Sequence, residues 1–438
     1  VSEGDRPRRR PLRARVGHAL LGFVPLAGVL ASSAWMVHAG VRDGADVWAE
    51  PVWLLLGVMQ CLYLAIQAVL WMRYRPYAPP ADDALLPHLT VIIPAYNEGA
   101  MIERSIKSVA EADYPRDKLE ILVVDDGSRD DTYFHMERMR RAFPQLVRLI
   151  RFPGNRGKRA GLHAGFTAAR GEIVLTLDSD SEIDPVTLKA MVAPFVADPK
   201  VGAVAGRVSV LNRATMLGRM LEVQYALAFD FGRAAQSSYR TVACCPGALS
   251  AFRLAVIKPH LDGWMNQTFL GRPVSHGEDQ ALTNVVLRAG YDTVYQRPAV
   301  VHTLAPTKFR PLWKMLTRWD RSYIVEGFSF ARFMFSRYRT SNRLLPIVNF
   351  IVSNGRIVLL YYGLLLLPQL ILSRPSFVID YGIAALLGAA FAALYYLQTE
   401  RSLRFLYGVA YAVYAFFLLQ WTLPWALITV RDERWGTR

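Results

Sequence analysis

Residues 172–184 read EIVLTLDSDSEID, an apolar run that breaks into four carboxylates within seven residues. The chain around it carries a net charge of +15. Acids clustered at the end of a buried strand repel one another and lose their water, so they call for a cation. The run has counterparts at LTVII (89–93), EILVV (120–124) and LVRLI (146–150). Their starts lie roughly 25 to 31 residues apart with segments of helical character between them, which predicts βαβ units and a mostly parallel sheet.

In an open α/β sheet, ligands bind beyond the carboxyl ends of the strands. The first run is followed by Pro94-Ala95-Tyr96-Asn97-Glu98 and the second by Asp125-Asp126-Gly127-Ser128. After the third comes Asn155-Arg156-Gly157-Lys158-Arg159, and after the fourth Asp178-Ser179-Asp180. Acids, a lysine and a glycine turn thus converge on one rim. No G-x-G-x-x-G follows a strand, and Gly157-Lys158 lacks the P-loop spacing, which argues against a dinucleotide or ATP site of either standard kind. Two carboxylates one residue apart can hold Mg2+ or Mn2+, cations that share such sites with substrate phosphates. The plainer reading of the acids is a solvated turn, with Asp184 capping a helix that has Pro185 at its first position. For Lys158 and Arg159 the plainer reading is a solvated helix start.

The remainder of the 438 residues is unusually apolar: 53% are hydrophobic, 20% are charged, and the mean hydropathy is +0.18. Residues 16–41 and 51–72 hold no Asp, Glu, Lys or Arg. Each run is long enough to cross a bilayer as a helix, for which about 20 residues suffice. Similar stretches recur near 345–373 (interrupted by Arg356), 376–398 and 405–430. Arg6, Arg8, Arg9, Arg10, Arg13 and Arg15 precede the first run, which predicts a cytoplasmic N-terminus and, after the second run, a cytoplasmic middle. The expected division is 1–75 tail and two spans, 76–310 cytosolic domain, 311–343 interface helices, 344–430 further spans and 431–438 a terminal tail. Residues 217–236 and 310–343 mix aromatics with arginines at helical spacing, as interfacial helices do. The basic excess flanks apolar spans, which favours anionic lipid headgroups over nucleic acid. Three cysteines form neither a disulfide framework nor a zinc spacing.

TVIIPAYNE, VVDDGS, the DSD and HGEDQALT (276–283) resemble, in order, the family 2 inverting glycosyltransferases. GRAAQSSYRTVACCPGALSAFR (232–253), RWDRS (318–322) and WGTR (435–438) are similar to hyaluronan synthases and nodulation chitooligosaccharide synthases. The resemblance implies an α/β, GT-A-like nucleotide-sugar transferase domain set between transmembrane helices, in a multi-pass protein of the plasma membrane. It implies that Tyr96, Glu98 and Asp126 hold uridine, that Lys158 reaches the ribose or phosphates, and that Asp178 and Asp180 bind the nucleotide with Mn2+ or Mg2+. Asp279, beside Glu278, is implied as general base; its alternative is an N-cap for a helix beginning at Gln280. Arg318 is implied to neutralise the leaving diphosphate, Trp319 to stack on the acceptor sugar, and Trp435, Thr437 and Arg438 to close over UDP. Cys245, Pro246 and Gly247 are implied as acceptor floor, where glycine permits close backbone approach. Cys244 and Cys245 otherwise read as small packing residues, and His276 and His302 as structural.

Two departures stand out. Met315 occupies a position where the family has Gln, and Arg240-Thr241 stand where smaller or apolar residues are expected. The activity implied is processive polymerisation of UDP-GlcNAc, with UDP-glucuronate for hyaluronan-type chemistry, into a growing polysaccharide exported through the protein's own channel. Transfer of one sugar to a lipid carrier and a non-catalytic glycan-binding role are the alternatives. A glucuronate would want a basic contact, for which Arg207, Arg233 and Arg253 are candidates. Three simple spans after the catalytic domain would leave WGTR on the wrong side, so a kink at Leu423-Pro424 or an interfacial 345–356 is expected.

Overall fold

A computed structural model of the chain describes residues 51–373 except 337 and 340–342, scattered positions within 31–38 and 375–400, and residues 401–432. Most of the run 16–41, much of 376–398 and the whole WGTR tail lie outside the described residues. The chain forms two compact units: Val1–Tyr74 with Val348–Val413, and Arg75–Ile347 with Tyr414–Arg438.

The larger unit is built on an eight-stranded sheet of order β3-β2-β1-β4-β7-β6-β10-β5. The four expected runs form β1 (Leu89–Ala95), β2 (Leu119–Asp125), β3 (Val147–Arg151) and β4 (Ile173–Leu177), all parallel. Every residue of β1 and β4 is buried. This explains their unbroken apolar character, because helices cover both faces of a parallel sheet. Helix α1 (Pro51–Arg73) precedes the sheet and belongs to the other unit; the connecting helices are α2 (Met101–Ala110), α3 (Thr132–Ala142) and α4 (Lys158–Ala168). Ile102, Ile106 and Val109 give α2 its apolar stripe at i, i+4, i+7 and are fully buried. Helix α4 lies so close to β1 that a Cβ on Gly165 would come within 2.4 Å of Ile92 Cγ2.

Beyond β4 come β5 (Ser181–Ile183), α5 (Thr187–Ala197), β6 (Val201–Val210), α6 (Met216–Tyr225) and α7 (Gly232–Ser238). A wide π-helical turn, Ala226–Phe231, joins the last two. The capping role expected of Asp184 is not found: α5 starts at Thr187, and Asp184 Oδ1 instead meets His302 Nε2 at 3.0 Å. Next are β7 (Leu249–Arg253), short helices α8 (Leu254–Ile257) and α9 (Leu261–Met265), and a small hairpin of β8 (Thr268–Phe269) and β9 (Arg272–Pro273). They lead to α10 (Glu278–Arg288), β10 (Asp292–Thr303) and the long α11 (Phe309–Phe333). Strand β7 runs antiparallel to β4 and β6, and β10 is parallel to β6.

Arg240 and Thr241 acquire a reason. Arg240 adopts a left-handed φ of +62° and pairs with Asp198 and, at 2.6 Å, with Asp292. Arg339, beyond α11, binds Asp292 at 2.9 Å and Thr241 Oγ1 at 2.6 Å. This buried network ties the segment after α11 to the foot of the sheet.

Among the described residues, two helical segments are long and apolar enough to cross a membrane, Leu344–Ser373 (α12) and Leu403–Ile428. Within the smaller unit, Arg356 of α12 donates to Gln60 Oε1 at 2.6 Å and lies 4.2 Å over Tyr63, and Gln67 bonds Asn349 at 2.7 Å. A charge inside an apolar span thus has partners, as such a location demands. The second segment begins as α13 (Leu406–Tyr414), widens to a π-helix over Ala415–Leu419 and breaks at Gln420–Trp421 before α14 (Thr422–Ile428). The break falls just ahead of Pro424, which sits in the first turn of the new helix, where a missing N–H costs nothing. Helix α14 packs on α11, and Arg321 donates to Thr429 Oγ1 at 2.8 Å and to Asp432 Oδ2 at 3.4 Å.

Candidate active site

The register aligns Ala95 with Asp125, Asp125 with Arg151 and Ile92 with Thr176. Tyr96, Asp126, Lys158 and Asp178 consequently emerge at one rim. Asp126 is buried, and its carboxylate accepts the N–H groups of Arg156 at 2.7 Å and Gly157 at 2.9 Å. It therefore shapes the turn that presents Lys158, and burial pushes its carboxyl above the ordinary range. Tyr96 is half-buried, and the Glu98 N–H donates to Thr132 Oγ1.

Lys158 lies at the centre. Its Nζ is 2.5 Å from Asp178 Oδ1 and 3.1 Å from Glu278 Oε1. Burial works against its charge, but Asp178 and Glu278 more than offset that and hold the ammonium well above its usual range. Its neighbour Arg159 is not the solvated residue expected. It is buried and donates to the carbonyls of Trp264 and His276 and to Gln267 Oε1. Asp180, on the far side of the DSD turn, accepts a hydrogen bond from Thr303 Oγ1 at 3.3 Å.

Helix α10 starts at Glu278, two residues earlier than read from the sequence, because Gly277 takes a left-handed φ of +70°. A Cβ there would also come within 2.6 Å of Ser322 Oγ, so glycine lets the GED turn approach α11. Asp279 then projects from the first turn. Its Oδ2 accepts the Gly247 N–H at 2.9 Å and has Cys244 Sγ at 3.8 Å; its Oδ1 accepts the Gln280 N–H at 2.8 Å. Burial, and then the charge of Glu278, raise the Asp279 pKa, while Lys158 moderates the rise. Glu278 goes the other way: burial opposes its ionisation, but Lys158 and Arg318 prevail and keep it below the carboxylate range. Two adjacent acids thus shift in opposite directions, Glu278 toward its ionised form and Asp279 toward its protonated one.

Gly247 brings the groups together. A Cβ at this position would stand 2.9 Å from Lys158 Nζ, 3.5 Å from Glu278 Oε1 and 3.7 Å from Asp279 Oδ2. Cys245 is fully buried, with its N–H on Thr283 Oγ1; the half-buried Cys244 is the thiol beside Asp279. His276 is buried, and burial together with Arg321, Arg159 and Arg318 lowers its pKa to about 4, so it is neutral. Arg318 also acts electrostatically on Glu278.

Trp319 forms an aromatic cluster with Tyr225 (6.2 Å) and Phe229 (5.8 Å, interplanar 66°). Met315 packs beneath it, its Sδ 3.9 Å from Tyr225 Oη. Tyr225 and Phe229 were not singled out from the sequence, though their i, i+4 spacing is the signal. Among the described residues no group of three or more His, Cys, Asp or Glu side chains is arranged to hold a metal. Asp178 and Asp180 offer oxygen alone, which fits Mg2+ or Mn2+ completed by phosphate and water and does not fit zinc. Trp435, Thr437 and Arg438 lie outside the described residues. A separate cavity of about 320 Å³ between α9, α10 and α11 is lined by Trp264, Gln267, Asn284 and Glu326, and not by the rim residues.

The family model described as glycosyl transferase family 2 matches residues 90–261. An N-acetylglucosaminyltransferase of Azorhizobium caulinodans is 31% identical over 362 residues, covering 81% of this chain and 88% of the relative. A hyaluronan synthase of Streptococcus pyogenes is 31% identical over 394 residues, covering 88% of this chain and 90% of the relative. Among solved structures, a mannosyltransferase from Pyrobaculum calidifontis in complex with GDP-Man and Mn2+ superposes with a TM-score of 0.57 at 23% identity, covering 87% of this chain and 99% of that one. This last likeness speaks to the fold alone. With a GT-A-like sheet, a rim of strand-end acids and relatives aligned over most of its length, the chain is a nucleotide-sugar glycosyltransferase and belongs to glycosyl transferase family 2.

Proposed function

We propose that the protein is a processive, inverting membrane synthase that polymerises UDP-sugars into a β-linked, GlcNAc-containing polysaccharide and exports it. The observation that carries this reading is the convergence at Gly247 of Asp279, which also has Cys244 beside it, and of Lys158, which Asp178 and Glu278 hold in place. It sets a base for an acceptor hydroxyl next to a cation for a diphosphate. The relatives named N-acetylglucosaminyltransferase and hyaluronan synthase support UDP-GlcNAc as donor.

In this reading Asp279 accepts the proton of the acceptor hydroxyl as its oxygen attacks the anomeric carbon and the bond to the diphosphate breaks. A carboxylate whose pKa is raised by burial suits that role. Lys158 and Arg318 stabilise the charge growing on the departing UDP. Glu278 keeps Lys158 ionised and in place. Asp178 and Asp180 would hold Mn2+ or Mg2+, which when bound withdraws electron density from the diphosphate. Tyr96, Glu98 and Asp126 would hold the uridine, Asp126 also shaping the turn that presents Lys158, and Trp435, Thr437 and Arg438 would close over the UDP. Trp319, on its aromatic cluster, receives the acceptor sugar above Pro246 and Gly247. The spans 344–373 and 403–428 anchor the chain in the plasma membrane, with the catalytic unit cytoplasmic.

The test is reconstitution with Mn2+ or Mg2+ and measurement of UDP release and polymer. UDP-GlcNAc alone, UDP-glucuronate alone and both together are compared, with Asp279→Asn as control. Polymer only with both donors means hyaluronan-type chemistry, and polymer from UDP-GlcNAc alone means a chitin-type synthase. UDP release without polymer supports transfer of a single sugar and sinks processivity. Polymer made only on the catalytic face of sealed vesicles sinks export.

A further inference from the structure

Four arginines are buried among the described residues: Arg159, Arg233, Arg321 and Arg339. Three of them have acceptors for their guanidinium protons. Arg159 has two carbonyls and Gln267, Arg321 has Thr429 and Asp432, and Arg339 has Thr241 and the Arg240 carbonyl, with Asp292 as its ion-pair partner. Arg233 differs. It is 7% exposed, its Nη1 is sealed from solvent without a partner, and among the described residues it makes no hydrogen bond or ion pair. Its guanidinium lies 4.5 Å over the ring of Phe229.

Burying an arginine without an anion or a strong acceptor is costly, and a ring face returns only a part of the loss. Position makes the orphan informative. Phe229 is the ring that meets Trp319 edge-on at 5.8 Å. Arg233 also belongs to α7, whose Gln236 Oε1 accepts the Ala243 N–H at 3.0 Å and so buttresses the loop leading to Cys244 and Gly247. The guanidinium is near enough to Cys244 and Cys245 for its charge to act on both thiols. The other two arginines considered for this part of the chain are differently placed. Arg253 donates to the carbonyls of Val201 and Phe195, and Arg207 has interactions of its own.

We propose that Arg233 is a specificity-determining residue of the acceptor subsite, donating hydrogen bonds to an sp2 oxygen on the sugar seated against Trp319. Two sugar substituents carry such an oxygen, the acetamido carbonyl of an N-acetylhexosamine and the carboxylate of a uronate. The inference rests on the transferase reading above. Planarity and a fixed fork suit arginine to either group.

The experiment uses the full chain in detergent with Mn2+. It compares wild type with Arg233→Lys and Arg233→Met in three measurements: the affinity for UDP by calorimetry, the melting temperature, and the acceptor KM in UDP-GlcNAc-dependent UDP release. The acceptors are the methyl β-glycosides of N-acetylglucosamine and of glucuronate, with methyl β-glucoside, which has no sp2 oxygen, as the blank. The expected result is an acceptor KM raised about 10- to 100-fold in Arg233→Met, partial recovery in Arg233→Lys, unchanged UDP affinity, and no effect with methyl β-glucoside. A loss confined to the glucuronide identifies the carboxylate as the partner, and a loss confined to the acetamido glycoside identifies the carbonyl. Equal losses with all three glycosides, or a fall in UDP affinity and melting temperature with acceptor KM unchanged, overturn the proposal in favour of a structural role. A wild type that binds no UDP overturns the transferase reading itself, whereas UDP binding with acceptor KM unmoved by Arg233→Met overturns this one alone.

Discussion

Replacing Lys158 by methionine removes the positive charge that faces Asp178 at 2.5 Å and Glu278 at 3.1 Å, while keeping most of the side chain's length. The consequence for the base can be worked out. The base form of Asp279 is lost as pH falls through its pKa, which burial and Glu278 raise and Lys158 lowers. Without Lys158 the pKa rises further, so the acid limb of the pH–rate profile moves to higher pH. The probe position at Gly247, 2.9 Å from Nζ and 3.7 Å from Asp279 Oδ2, limits the separation of those two atoms. Taking that limit as about 6.5 Å and an effective dielectric of about 20, the lost attraction is about 2.5 kcal/mol, just under two pH units before solvent screening. The side chain of Lys158 is 21% exposed, so a shift of about one to two units is expected. Glu278 loses the same counter-charge and moves in the same direction. The assay is kcat/KM for UDP release between about pH 5 and 9, each variant normalised to its own optimum so that a lower rate does not hide the limb. Lys158→Arg, which keeps the charge, should leave the limb in place. An acid limb that stays put or moves down in Lys158→Met refutes the electrostatic coupling argued here.

Three further outcomes are expected. Gly247→Ala pushes a methyl group against Lys158 Nζ, the far end of a flexible chain; kcat should fall about 10- to 100-fold with little change in melting temperature, as a misplaced charge at an intact fold predicts. Asp292→Asn removes the carboxylate shared by Arg240 and Arg339, should cost about 3–5 kcal/mol of stability and lower the melting temperature, and should leave the affinity for UDP intact. Asp180→Asn should raise the Mn2+ concentration for half-maximal UDP release by more than the 10- to 100-fold that losing an outer-shell partner typically costs; an unchanged Mn2+ titration would remove Asp180 from the metal site.

The strands and their rim were legible because local runs encode them. LTVII, EILVV, LVRLI and EIVLTL state their burial in their composition, and the residues after each run must then share an edge of the sheet. Helix starts were read less well, for a local reason in each case. The Asp184-Pro185 pair looks like a cap, but Asp184 meets a histidine 118 residues away, a partner that no window of sequence contains. The α10 start depends on a left-handed glycine and on its closeness to Ser322. Arg240 is intelligible only once Asp198, Asp292 and Arg339 are seen together. Arg233 shows the limit from the other side. Its sequence neighbourhood marked it as one of three candidates, but only the acceptors of the other buried arginines set off its lack, among the described residues, of a hydrogen bond or ion pair.

The return of α14 to α11 has a consequence for how the protein is made. Arg321 finds Thr429 and Asp432 more than a hundred residues later, and the last segment of the larger unit, Tyr414 onward, follows the first candidate span and begins inside the second. A ribosome that has finished the entire sheet has therefore still not finished the unit. Until α14 and the residues just after it emerge, Arg321 lacks its bonds to Thr429 and Asp432, and the face of α11 beneath α14 is uncovered. A chain stopped before Thr422 keeps every rim carboxylate and yet lacks α14, the helix that covers this face of α11.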